Sequence, residues 1–138
     1  MKKTVKKKKE SNLLKIGIDL DNTITASFES LSFFLLLTES LKDKSEIYII
    51  SDRESNKKTY DKTVDELDIL GIHYDVLLLT SDKRREVIEK EINIFFDDTD
   101  EYFLEFPPNV TVFKIREDGN FNFQKKKWVG STKTVEII

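Results

Sequence analysis

The stretch Leu13-Leu14-Lys15-Ile16-Gly17-Ile18-Asp19-Leu20-Asp21-Asn22-Thr23 is apolar at most of its first six positions and then turns acidic and polar. Such a run, ended by Asp, Asn and Thr, predicts a buried strand followed by a turn. Further along the chain the pattern repeats. Residues 27–42 carry Phe28, Leu31, Phe34, Leu35 and Leu41 at helical spacing, with Ser27 placed as an N-cap. Ile47 to Ile50 is the next short apolar run, ended by Ser51-Asp52-Arg53. Val64, Leu67 and Leu70 describe a second helix stopped by Gly71. Tyr74 to Leu79 reads as a third strand. Ser81 or Asp82 caps a helix containing Val87, Ile88 and Ile92, and Ile92 to Phe96 forms a fourth strand closed by Asp97-Asp98. A helical turn over 101–106, the Pro107-Pro108 break and a fifth strand from Val110 to Ile115 follow. Residues 119–138 open on a turn at Asp118-Gly119 and read as an extended tail.

Strands alternating with helices imply βαβ units, hence a mainly parallel sheet with helices on both faces. The expected fold is therefore α/β, a Rossmann-like three-layer sandwich. The 138 residues suit one domain, 13–138, behind a separate N-terminal tail, 1–12.

Composition narrows the function classes. The absence of cysteine excludes a disulfide framework, thiol catalysis and cysteine-ligated metal. The lone His73 does not make a His-rich metal site or a Ser-His-Asp triad and reads as a structural residue in a connection. The longest unbroken apolar run, Phe33 to Leu37, is far short of the roughly 20 residues of a membrane span. The basic start lacks the apolar core of a signal peptide, so a cytoplasmic, membrane-free protein is expected.

Charge is unevenly spread. Residues 1–12 hold Lys2, Lys3, Lys6, Lys7, Lys8 and Lys9 against Glu10 alone. Removing them leaves 17 basic and 25 acidic side chains (23 less 6, 26 less 1), a body near −8. A second basic cluster, Lys125 to Lys127, adjoins Trp128. Such ends either bind nucleic acid or another polyanion, with Trp128 stacking on a base, or form a solvated tail with Trp128 packed on the body. The acidic body favours the solvated tail, because a nucleic-acid groove needs positive potential.

Ligands of parallel α/β sheets bind beyond the carboxyl ends of the strands. Those ends carry Asp19, Asp21, Asn22 and Thr23 after the first strand and Ser51, Asp52 and Arg53 after the second. Asp82-Lys83 follows the third and Asp97-Asp98 the fourth. Carboxylates gathered at one edge repel one another unless a cation sits among them, and hard divalent ions with oxygen ligands suit them.

Asp19-x-Asp21-x-Thr23 after an apolar strand resembles the first motif of the haloacid dehalogenase-like (HAD) superfamily of phosphotransferases. Ser51 resembles its second motif, Lys83 its third and Asp97-Asp98 its fourth. They come in the family's order, 32, 32 and 14 residues apart, and the resemblance spans about residues 13–115. It implies a Mg²⁺-dependent phosphatase that hydrolyses a phosphate monoester through an aspartyl-phosphate. Asp19 would be the nucleophile and Asp21 the general acid and base, its backbone carbonyl facing the metal. Ser51 would hold phosphoryl oxygens, with Asn22, Thr23, Asp52 and Arg53 lining the substrate site. Lys83 would neutralise charge, Asp98 would ligate Mg²⁺, and Asp97 would hold Lys83 or a metal-bound water.

Singly, each residue has a plainer reading: Asp21 or Thr23 as a helix cap, Ser51 as a cap, Lys83 as a solvated lysine, Asp97-Asp98 as a turn. Arg53 could equally reach a phosphate or form a surface ion pair. Lys90 competes with Lys83, but Lys83 stands at the helix start. Intervals 23–46 and 52–74 hold one helix each, so a member without a cap domain is implied, with an open site or one closed by a second subunit. A small phosphorylated substrate, a nucleotide or another small ester, is expected. Two alternatives share the chemistry or the fold: a receiver-like phospho-acceptor domain, whose acidic pair would instead follow the first strand, and an inactive binding module.

Overall fold

A computed structural model describes residues 13–115, 120–122 and 124–129. The basic tail 1–12, the Asp118-Gly119 turn and residues 130–138 lie outside the described residues. Five strands form one sheet: β1 (Leu14–Ile18), β2 (Ser45–Ser51), β3 (Val76–Leu79), β4 (Ile94–Asp97) and β5 (Thr111–Lys114). Their order is β3-β2-β1-β4-β5 and every pairing is parallel. Between them run α1 (Phe28–Leu41), α2 (Lys57–Leu70), α3 (Lys83–Glu89) and α4 (Asp100–Glu105). This is a Rossmann-like α/β fold. Beyond it, β6 (Asn120–Asn122) and β7 (Lys127–Val129) pair antiparallel, so part of the expected tail is a short hairpin.

Strand alternation sorts the core into two layers. Ile16, Ile18, Ile47, Ile49 and Leu77 pack with Phe34 of α1 and Leu67 of α2. Tyr48, Ile50, Val76 and Phe95 pack on the other face with Val87 of α3 and Phe106. Gly17 lies on the second face, where Phe95 crosses it; a Cβ there would stand 2.8 Å from Phe95 Cδ2. We expect Gly17→Ala to cost about 1–3 kcal/mol by overpacking, read as a lowered Tm with an unchanged far-ultraviolet spectrum.

The helix ends follow the residues predicted for them. Ser27 caps α1, its Oγ accepting the Ser30 N–H at 3.0 Å. Asp82, rather than Ser81, caps α3 by accepting from Arg85 N at 3.1 Å. Gly71 ends α2 at φ 81°, its N–H returned to the Leu67 and Asp68 carbonyls, a conformation that glycine adopts without a Cβ penalty.

Phe28 opens α1 as expected and is 71% exposed. Two expectations need correction. Tyr74 precedes β3 instead of opening it; pairing with β2 starts at Val76, after the Asp75 N–H has bonded to the Ile47 carbonyl. Ile92 belongs to neither α3 nor β4. The chain leaves the helix through Glu91 at φ 56°, and Ile92 is buried in the connection. No helix among the described residues is long and apolar enough to cross a membrane.

Candidate functional site

The sheet order reverses between β1 and β4: the chain runs outward through β1, β2 and β3, then returns to place β4 on the other side of β1. Crevices form at such reversals, beyond the carboxyl ends of the strands. Asp19 follows β1 and donates its N–H to the Phe96 carbonyl at 3.0 Å, which locks the two strand ends together. Asp97 closes β4, and Asp98 follows it.

Residues 20–24 make a wide turn instead of a regular helix, because Asp21 is extended and Asn22 left-handed at φ 59°. Asparagine tolerates that region better than most residues. The Asn22 N–H donates to Thr25 Oγ1 at 3.0 Å. The turn brings Thr23, wholly buried, back to the crevice, with its Oγ1 3.0 Å from Asp19 Oδ2 and 3.2 Å from Asp98 Oδ1. A hydroxyl has one proton, so it serves one carboxylate at a time.

Lys83, the first residue of α3, is 3% exposed. Its ammonium donates to Asp19 Oδ1 at 2.9 Å and Asp97 Oδ2 at 2.8 Å. The Tyr102 ring stands above it, 4.6 Å from Nζ to the ring centroid. Burial works against its charge, but the two carboxylates more than compensate and raise its pKa. Lys90 is at the far end of α3, its carbonyl accepting from Lys15 Nζ.

Asp19, Asp97 and Asp98 are all buried, and each offers a carboxylate oxygen within 4.8 Å of the others. Lys83 bonds two of the three carboxylates, Asp19 and Asp97; Asp98 meets Thr23, and the Lys114 ammonium donates to the Asp98 backbone carbonyl. Burial drives the Asp19 carboxyl well above its usual range against the pull of Lys83, and pushes Asp98 up to about 6. Hard oxygen donors with excess negative charge fit a divalent cation, so this triad could hold a metal ion. Adding Mg²⁺ to chelator-treated protein should raise the Tm, with about 2.7 kcal/mol gained at a hundredfold excess over Kd. Asp98→Ala should weaken that response more than Asp97→Ala, since Asp97 already holds Lys83. An unmoved Tm would refute Mg²⁺ binding at the triad.

Other expected site residues lie around this centre. Ser51 is fully buried and its Oγ accepts the Arg53 N–H at 3.2 Å. Asp52 is exposed and accepts from the Tyr102 hydroxyl at 3.2 Å. Asp21 is turned to Arg53, which grips it at two points: Nε to Oδ2 at 2.9 Å and Nη2 to Oδ1 at 2.8 Å. Arg53 also meets Glu66 at 2.8 Å and Thr63 Oγ1 at 3.0 Å. The guanidinium is thus the half-buried hub of an acidic cluster, which is the ion-pair alternative of the two expected for it.

Sequence reasoning missed Glu66, Thr63 and Tyr102. Thr63, Glu66, Leu67 and Leu70 share one helical face, so a carboxylate on the inward face of α2 was a readable signal. Tyr102 had none, because its contacts to Lys83 and Asp52 join segments far apart in the chain. No protein-family model and no curated protein matches the sequence.

Proposed function

We propose that the protein is a Mg²⁺-dependent phosphatase of the haloacid dehalogenase-like kind, without a cap domain, acting on a phosphate monoester. One observation carries this reading: three buried carboxylates and one buried ammonium converge where the sheet order reverses. Only the turn at 20–24 and α1 separate β1 from β2, and only α2 separates β2 from β3, so neither interval holds a covering domain, which supports the reading without a cap.

In this reading Asp19 attacks phosphorus and a phosphorus–oxygen bond to its carboxylate forms as the ester bond breaks. The electron pair departs on the ester oxygen, which takes a proton from Asp21. Water then attacks the aspartyl-phosphate and gives its proton to Asp21. The Asp19 carboxylate is restored and inorganic phosphate leaves. To do this Asp21 exchanges its Arg53 contact for the ester oxygen, and Arg53 keeps Glu66. Ser51 Oγ, already accepting from Arg53 N, has its own proton left to give to a phosphoryl oxygen. Lys83 offsets charge on the phosphoryl group beside the nucleophile. Asp19, Asp98 and the Asp21 carbonyl would hold Mg²⁺, which when bound would supply charge neutralisation at the phosphoryl oxygens.

The test is phosphate release from a panel of nucleotides, sugar phosphates and phosphorylated oligonucleotides, with Mg²⁺ and with chelator. Asp21→Asn should slow the best substrate on the order of 10²–10⁴-fold by loss of proton transfer. Release from none of the panel, or release indifferent to Mg²⁺, would overturn the reading.

A further inference from the structure

A cavity of about 360 Å³ opens between the first turn of α2, with Ser55, Asn56, Lys57 and Tyr60, and β3 residues 77–79. That is the low end of the range for small-molecule sites. It belongs to the carboxyl edge of the sheet, since α2 starts there and Leu79 pairs with Ser51 at the end of β2. The Thr80 N–H also bonds to the Ser51 carbonyl at 2.9 Å, which fixes the end of β3 beside the end of β2. β3 is two strands from β1, and the registers put Leu78 of the cavity wall level with Asp19, roughly 10 Å away at ordinary strand spacing.

Its chemistry differs from that of the centre. No carboxylate lines it, in a chain whose body is strongly acidic. The leucines and the Tyr60 ring give apolar walls, while Ser55, Asn56 and Lys57 place polar groups at an exposed rim. Lys57 is already paired with Asp61 at 2.7 Å, so the rim does not present a bare cation for a second phosphate. What fits is neutral and flat, with apolar faces and hydrogen-bonding edges.

We infer that this cavity is the leaving-group subsite and takes the base of a nucleoside monophosphate whose phosphoryl group lies at Asp19. The inference rests on the phosphatase reading and narrows its substrate class. A nucleoside spans the distance from the centre to the cavity, whereas a three-carbon ester is too short to reach and too polar for the walls. Tyr60 presents a ring on which a base can stack, and stacking tolerates any base. The subsite therefore selects nucleotides as a class and discriminates weakly among them.

Two measurements separate this inference from the reading beneath it. The first needs no turnover: adenosine and uridine, titrated to about 10 mM to reach millimolar affinities, should shift the amide resonances of residues 55–60 and 77–79. Absence of those shifts overturns the subsite whatever the enzyme does. The second compares kcat/KM for nucleoside monophosphates and glycerol phosphate in the full chain with Mg²⁺. The ratio should favour the nucleotides, and Ser55→Trp, which fills the mouth from an exposed position, should cut that ratio roughly tenfold. A ratio near one, or one that Ser55→Trp leaves alone, overturns the subsite while phosphate release upholds the phosphatase. If neither ester releases phosphate, the phosphatase reading fails with its substrate assignment, even where the nucleosides bind.

Discussion

Asp19→Asn should abolish phosphate release, with kcat lowered on the order of 10⁴-fold or more, as expected when a nucleophile is removed from a group of residues that act as a unit. The substitution keeps side-chain shape and deletes one charge. Lys83 retains its 2.8 Å bond to Asp97, so the fold does not depend on the lost carboxylate. Removing one of three crowded carboxylates also relieves repulsion, and the metal-free variant should unfold no earlier than the parent. Steady-state release of phosphate, thermal unfolding and circular dichroism together check this. Undiminished turnover in a folded Asp19→Asn protein would show that the chemistry does not begin at this residue.

The largest stability effect is expected at Lys83. Methionine has similar length without the charge, so Lys83→Met leaves Asp19, Asp97 and Asp98 buried together without the ammonium that bonds two of them. Breaking a buried ion pair from one side costs about 3–5 kcal/mol. For a chain of this size that is a fall in Tm of roughly 10–20 °C. Saturating Mg²⁺ should recover part of the loss, because a cation at the triad replaces some of the missing positive charge. Arg85→Met, two residues on and exposed, is the matched control and should move the Tm little. A Lys83→Met protein as stable as the parent would mean that the three carboxyls are neutral without Lys83.

Much of the fold was legible in the chain because its signals are local. Short apolar runs ended by acidic turns marked all five strands of the sheet, and Ser27 and Gly71 marked helix ends through bonds spanning three to five residues. The errors were local too. Ile92 was placed by periodicity, but periodicity does not show where a left-handed residue such as Glu91 ends a helix. Strand ends likewise drew attention to Asp19, Ser51, Lys83, Asp97 and Asp98 before any contact was known.

By itself, then, the sequence determined that this chain alternates strand and helix, that it gathers acidic residues at strand ends, and that one lysine opens the helix leading to the fourth strand. These follow from side-chain period, capping chemistry and the cost of burying charge, which act within a few residues. Only the tertiary structure decided which charges meet. β4 lies beside β1, not beside β3, and this brings Asp97 and Asp98 to Asp19 across more than 75 residues of chain. Arg53 belongs to Asp21 and Glu66 because the loop after β2 crosses the turn after β1 under the inward face of α2. Which carboxylate gains a cation and which stays crowded depends on distances of a few ångströms in a low-dielectric interior. Pairing across the sheet sets those distances, and spacing along the chain does not encode them.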